Sequence, residues 1–174
     1  NKFTPLEDGS LKDKLTNLLT SHGYQVKAIN VMDASKRTTK SNAYFAGYGK
    51  LKTIVLYDNL VNTMTEEEIV AVFAHELGHG LHKDTMKNSV ISILNILLIV
   101  ICAWLLVKFP KLYEGFGFNK VNYAFSFLVL STSFLPIINP IISMISSYIS
   151  RKNEYAADKQ AVEEGYGEEL ISAL

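Results

Sequence analysis

The sequence predicts a mostly helical α+β fold of the integral-membrane kind. It reads as a small β-sheet and a long amphipathic helix, a pair of transmembrane helices, and a final helix. Three observations predict this. Strand-like runs are confined to the first third of the chain, an apolar stripe with helical spacing follows at Ile69, Val72, Phe73 and Leu77, and residues 90–107 and 121–150 hold no charged side chain. The 174 residues suffice for one domain with a real core. Within it we expect a soluble part at 1–86, a transmembrane hairpin at 87–150 and a last helix at 151–174.

The first helix is expected from Ser10, with Asp13 three residues on, because Leu11, Leu15, Leu18 and Leu19 repeat on one face and Gly23 supplies a stop. His22, beside that helix end, is read as satisfying the helix dipole and not as a ligand. Val26, Ile29 and Val31 turn the pattern toward a strand over Gln25–Met32, and the basic, polar residues 33–40 read as a loop. Two further strand-like runs, 42–47 and 53–57, are joined by a segment with Gly47 and Gly49, the arrangement of a hairpin or meander.

Thr65-Glu66-Glu67-Glu68 is a helix start: Thr65 can cap, Glu68 can return the bond, and three acids sit at the positive end of the dipole. That helix should run past His82, with Gly78 and Gly80 marking close packing or a ligand's approach. Residues 90–107 would span roughly 27 Å as a helix, near the thickness of a bilayer core. In 121–150 a span from Tyr123 to about Ile142 is expected to continue as a buried or cavity-lining segment, with Pro136, Asn139 and Pro140 interrupting it. Two spans with a short connector return the chain to the side it left. Lys83, Lys87, Arg151 and Lys152 then share one face, against Lys108, Lys111 and Lys120 in the connector, a slight positive-inside preference for a cytoplasmic soluble face.

Seventeen basic and seventeen acidic residues cancel, which argues against a nucleic-acid partner. The single cysteine, Cys102, cannot form an internal disulfide. The chain opens on Asn1 with no signal-like stretch and its last residues, 168–174, read as a helix cut short, so it is expected to be an internal fragment.

His75-Glu76-Leu77-Gly78-His79 is an HExxH motif on the expected helix. Residues four apart share a face, so both imidazoles can reach one ion, and the adjacent Glu76 can act as general base on a metal-activated water. A catalytic zinc takes three protein ligands and keeps one position open. Glu154, in Glu154-Tyr155-Ala156-Ala157-Asp158, follows the second span on the same membrane face and can be the third ligand. Asp158, four residues on, can accept a hydrogen bond from a ligating histidine and set its tautomer. His82 lies about 10 Å along the helix from His75, too far to share an ion held at about 2 Å, and belongs to the site edge or the surface. The strand Ser41-Asn42-Ala43-Tyr44-Phe45 could pair with an extended substrate, but its pattern alone reads as a structural strand.

These residues resemble the membrane zinc endopeptidases comprising the type I CAAX prenyl proteases and the bacterial HtpX proteases. The likeness rests on Ala34-Ser35-Lys36-Arg37, Ser41 to Phe45, Ile54-Val55-Leu56-Tyr57-Asp58, Ala74 to His79 and Glu154 to Asp158, in that order, and the first three blocks look more like the prenyl-protease branch. The resemblance implies a zincin fold of the gluzincin kind with one zinc per chain on His75, His79 and Glu154, Glu76 catalytic, Asp158 behind the ligands, and Asn42 and Ala43 on substrate backbone. It also implies a peptide or protein substrate, possibly prenylated, a lipid bilayer, and multi-pass placement in the endoplasmic reticulum of a eukaryote or the plasma membrane of a prokaryote. Family members carry further helices before this region and further histidine and arginine residues after it, which this chain does not include. Two other readings stand beside it: an HtpX-like quality-control protease, and a non-catalytic membrane protein tied by a structural metal.

Overall fold

The computed structural model describes residues 2–47 and 49–173. They form two compact units, one of residues up to 83 together with 153–173, the other of 84–152.

The first unit is built on a four-stranded mixed sheet, β1 (Phe3–Pro5), β2 (Gln25–Met32), β3 (Ala43–Ala46) and β4 (Leu51–Tyr57), in the order β1-β2-β4-β3. β2 and β4 run parallel, and β1 and β3 are antiparallel outer strands. The 42–57 segment is thus a hairpin, as expected, but not part of a meander. After β2 the chain arches across the end of β4 to reach the outer position, then returns through the hairpin into the gap. The three-residue β1 was not anticipated, because Phe3-Thr4-Pro5 is too short to show a period of two.

Helix α1 (Ser10–Ser21) buries Leu11, Leu15, Leu18 and Leu19, the four leucines of its predicted stripe. Its N-cap is Gly9 and no side chain caps it; the Ser10 hydroxyl donates instead to the Glu66 carboxylate, so Ser10 is the first helical residue and not the cap. Gly23, at φ 75°, turns the chain out of α1 in the left-handed region that glycine tolerates. His22 closes the helix, and its Nε2 lies 2.7 Å from a Glu164 carboxylate oxygen. A short helix, α2 (Asp58–Thr63), leads to α3 (Glu66–Leu81), which starts with the complete Thr65–Glu68 capping box. Helix α3 ends at Leu81 and does not run past His82. There the His82 amide closes on the Gly78 carbonyl at 3.0 Å, and its Nδ1 reaches the same oxygen at 2.7 Å. The core lies between the sheet and the helices, with Ile29, Ile54 and Leu56 meeting Leu15, Leu19, Ile69, Phe73 and Leu77.

In the second unit α4 (Asp84–Val107) is 24 residues long with a mean hydropathy of 3.0. A connector follows with α5 (Pro110–Gly115), in which buried Tyr113 donates to the Leu106 carbonyl at 3.1 Å and touches the Ser126 hydroxyl. Then α6 (Tyr123–Val129), a π-helical turn (Leu130–Phe134) and α7 (Leu135–Glu163) make one helical run. The expected interruption at Pro136, Asn139 and Pro140 is absent: Pro140 lies inside α7. Proline lacks an N–H and its ring crowds the carbonyl four residues back. The widened π turn falls where Pro136 would press on Thr132, and it absorbs the strain without ending the helix. Met144 and Tyr148, 74% and 68% exposed, lie on α7 and not in a buried segment. Both α4 and the Tyr123–Glu163 run are long and apolar enough to cross a membrane.

The last part of α7 belongs to the first unit, so no separate helix starts near 151. The turn at Gly165, φ 87°, ends it, and α8 (Gly167–Ala173) packs Leu170 into the core. The chain is helical over 167–173, and Leu174 lies outside the described residues.

Candidate metal centre

Helix α3 presents His75 and His79 on one face, as a spacing of four requires. Their rings meet edge to face at 4.8 Å between centroids, with the two Nε2 atoms 3.2 Å apart. From α7, a Glu154 carboxylate oxygen lies 3.5 Å from the His75 Nε2 and 3.7 Å from the His79 Nε2. A tetrahedral ion with bonds of about 2.1 Å holds its ligands about 3.4 Å apart, and these three edges bracket that spacing. Two imidazoles and a carboxylate suit zinc and leave one coordination position open. The group His75, His79 and Glu154 can therefore hold a metal ion.

Two residues support the cluster. The His75 Nδ1 lies 2.9 Å from an Asp158 carboxylate oxygen. With Asp158 ionised, Nδ1 is the protonated nitrogen and Nε2 keeps its lone pair on the side of His79 and Glu154. Burial pushes the Glu76 carboxyl above its ordinary value; the His79 and His75 imidazoles pull it down, and Glu154 adds to the upward shift.

Glycine makes this approach possible. A side chain at Gly78 would bring its Cβ to 2.8 Å from the Ala157 Cα and 3.1 Å from the Gln160 Cβ, so α3 and α7 touch backbone to backbone there. Ala157 lies one turn from Glu154 and next to Asp158, and both carboxylates reach the histidines because Gly78 and Ala157 are small. Two residues further along α3, the Phe45 ring of β3 occupies the space where Gly80 would carry a side chain, and it also packs edge to face on Phe73 at 6.0 Å. The outer strand is thereby held against the helix that bears the histidines.

The structure thus gathers Glu76, His75, His79, Glu154 and Asp158 in one place. Asn42 and Ala43 stand apart on the strand, linked to the cluster through Phe45. Asn42 is exposed, immediately precedes β3, and turns its Oδ1 onto the Ala43 amide at 2.9 Å; Ala43 is fully buried. His82 is exposed at the helix end. Sequence reasoning gave Asp58 no role beyond its place in the family likeness and did not single out Asn59; both bind the loop leading into β3. An Asp-Asn pair where a strand gives way to a helix was the available signal.

Peptidase family M48 matches residues 5–172. The chain is 36% identical to the probable CAAX prenyl protease 1 of Schizosaccharomyces pombe, covering 99% of this chain and 36% of that protein. It is 37% identical to the CAAX prenyl protease 1 homologue of Arabidopsis thaliana, covering 100% and 41%. Against the crystal structure of S. mikatae Ste24p the TM-score is 0.84 at 35% identity, covering 99% of this chain and 44% of that one. The chain spans about two-fifths of the length of the curated relatives it matches.

Proposed function

The chain belongs to peptidase family M48, and from that premise we propose that it forms the catalytic region of a multi-pass membrane zinc endopeptidase. The type is that of the CAAX prenyl proteases, acting near the C-terminus of prenylated peptides. The observation behind the proposal is the triangle of His75 Nε2, His79 Nε2 and a Glu154 oxygen, whose edges suit one tetrahedral ion. His75, His79 and Glu154 would hold the zinc, one per chain, in a gluzincin-like site. When bound there, zinc supplies Lewis acidity and lowers the pKa of water toward neutrality.

The protein's own groups supply the rest. Asp158 orients the His75 ring. Glu76, made more basic by burial, takes a proton from the water that attacks the peptide carbonyl and passes it to the departing amine nitrogen. The free edge of β3, at Asn42 and Ala43, pairs with the extended substrate backbone and presents the scissile bond in register. The apolar helical stretches of residues 84–107 and 123–150 would lie in the bilayer.

The test is zinc content and peptide cleavage by the detergent-solubilised protein, as wild type, Glu76→Gln and Glu154→Ala. We expect wild type to hold one zinc, Glu76→Gln to keep it without cleaving, and Glu154→Ala to lose it. Normal cleavage by Glu76→Gln would refute the mechanism, and a wild type that holds zinc without cleaving would leave a structural metal. Cleavage of prenylated and unprenylated peptides at equal rates would favour the quality-control type of substrate.

A further inference from the structure

Resting on that reading of β3 as the substrate-facing strand, we propose that Asp58 and Asn59 are positioning residues for the reaction. They clamp the 33–42 arch to the end of β4 and so fix the register in which β3 offers its backbone to substrate.

The need for a clamp follows from the topology. β3 is four residues long, is hydrogen-bonded among the described strands only to β4, and is reached by a chain that must first pass over the end of β4. A strand held on one side by so short a ladder is prone to slip, and a slip of one residue exchanges its two faces. Here it would trade buried Ala43 for exposed Asn42. The hairpin connection to β4 holds one end of β3; the other end depends on the arch.

The arch is held at several points by two adjacent side chains. One Asp58 oxygen accepts from the amides of Ala34 and Ser35, each at 2.9 Å, and from its neighbour Asn59 at 2.9 Å. The other oxygen accepts from the Ser35 hydroxyl at 2.6 Å. The Asn59 amide nitrogen donates to the carbonyls of Thr38 at 2.7 Å and Lys40 at 3.3 Å. The Tyr57 amide then donates to the Asn42 carbonyl at 3.0 Å, where the arch meets the ladder. Every one of these contacts joins the junction of β4 and α2 to the arch, apart from the local Asp58–Asn59 bond. Among the described residues, neither side chain hydrogen-bonds to the His–Glu cluster, so the pair acts through β3. The Ser35 hydroxyl above all, then the surrounding amides, hold the Asp58 carboxyl at about 2 against the opposing effect of desolvation, so it stays charged at any working pH.

The experiment compares Asp58→Ala, Asn59→Ala and Asp58→Asn with wild type in detergent. It reads hydrogen exchange over 41–46, zinc content, and kcat and KM on a peptide substrate. We expect exchange over 41–46 and KM each to rise about tenfold in the alanine variants, with zinc content unchanged and kcat within about twofold. Asp58→Asn, which keeps an acceptor for the amides, should recover most of the loss. Faster exchange with unchanged KM would overturn the substrate role, and unchanged exchange would overturn the clamp itself. Loss of zinc or of folding in all three variants would make the pair merely structural and end the proposal. If the wild type cleaves no peptide, the endopeptidase reading fails, and the exchange data show separately whether the arch is clamped.

Discussion

The two ring nitrogens of His75 face different partners: Nδ1 meets Asp158 and Nε2 meets the other candidate ligands. Removing the carboxylate leaves the ring free to change tautomer and to swing. Asp158→Ala is therefore expected to weaken zinc binding about 10- to 100-fold, measured by competition with a chelator, while Asp158→Asn loses less. Asp58 gives a prediction in pH. Its folded value of about 2 lies below the ordinary 3.8, so its contribution to stability is complete above about 4 and is lost as pH falls through 2. Lys36, paired with Asp33 at 2.6 Å, also interacts electrostatically with Asp58. Hydrogen exchange at 34–42 should be flat from pH 8 to 5, after correction for intrinsic rates, and should accelerate in acid. As candidates, the histidines, Glu154 and Asp158 were legible in the sequence because a spacing of four puts each pair on one helical face, and Glu76 because it adjoins His75. Asp58 and Asn59 were not, since their partners lie 19 to 24 residues away and no local period reveals them.

At the scale of elements, the two glycines of α3 separate two effects. In Gly78→Ala the new Cβ would meet backbone at 2.8 Å, and backbone does not yield, so α7 must move away and take Glu154 with it. We expect zinc affinity to fall at least tenfold, read by metal content, with helicity retained. In Gly80→Ala the obstacle is the far end of the Phe45 side chain, which can turn aside. Zinc should stay, KM should rise, and Phe45→Leu in the same chain should restore it. The sequence marked both glycines as points of close approach but not what approaches them. Likewise the Thr65 cap was readable from four consecutive residues. The start of α1 at Ser10 was readable too, but not the partner of the Ser10 hydroxyl, because Glu66 comes from another helix.

At the scale of the whole molecule, the unit of residues 84–152 exposes large apolar side chains along both helices, among them Ile93, Leu97, Trp104, Ile137 and Met144. On the proposed membrane reading the chain should stay in the membrane fraction after alkaline carbonate. Leu97→Arg, near the middle of α4, should disfavour insertion by about 3 kcal/mol, measurable by glycosylation mapping of the connector. The first unit collects segments from both sides of this hairpin, residues up to 83 and from 153 onward. That is the return of the chain which the candidate ligand set requires.

The sequence by itself determined the class of elements, the two apolar stretches, the histidine pair with its adjacent glutamate, and the family likeness. All of these follow from local periodicity, from short-range spacing or from composition, which survive in a linear string. Only the tertiary structure decided that β4 slots between β2 and β3, that the second apolar stretch runs unbroken through Pro140 into the residues bearing Glu154, and that Gly78 and Ala157 bring that carboxylate within 3.5 to 3.7 Å of the imidazoles. Each of these depends on the excluded volume and hydrogen-bond partners of residues far away in the chain. No local pattern encodes them, because the same spacing is compatible with several packings until the backbones meet.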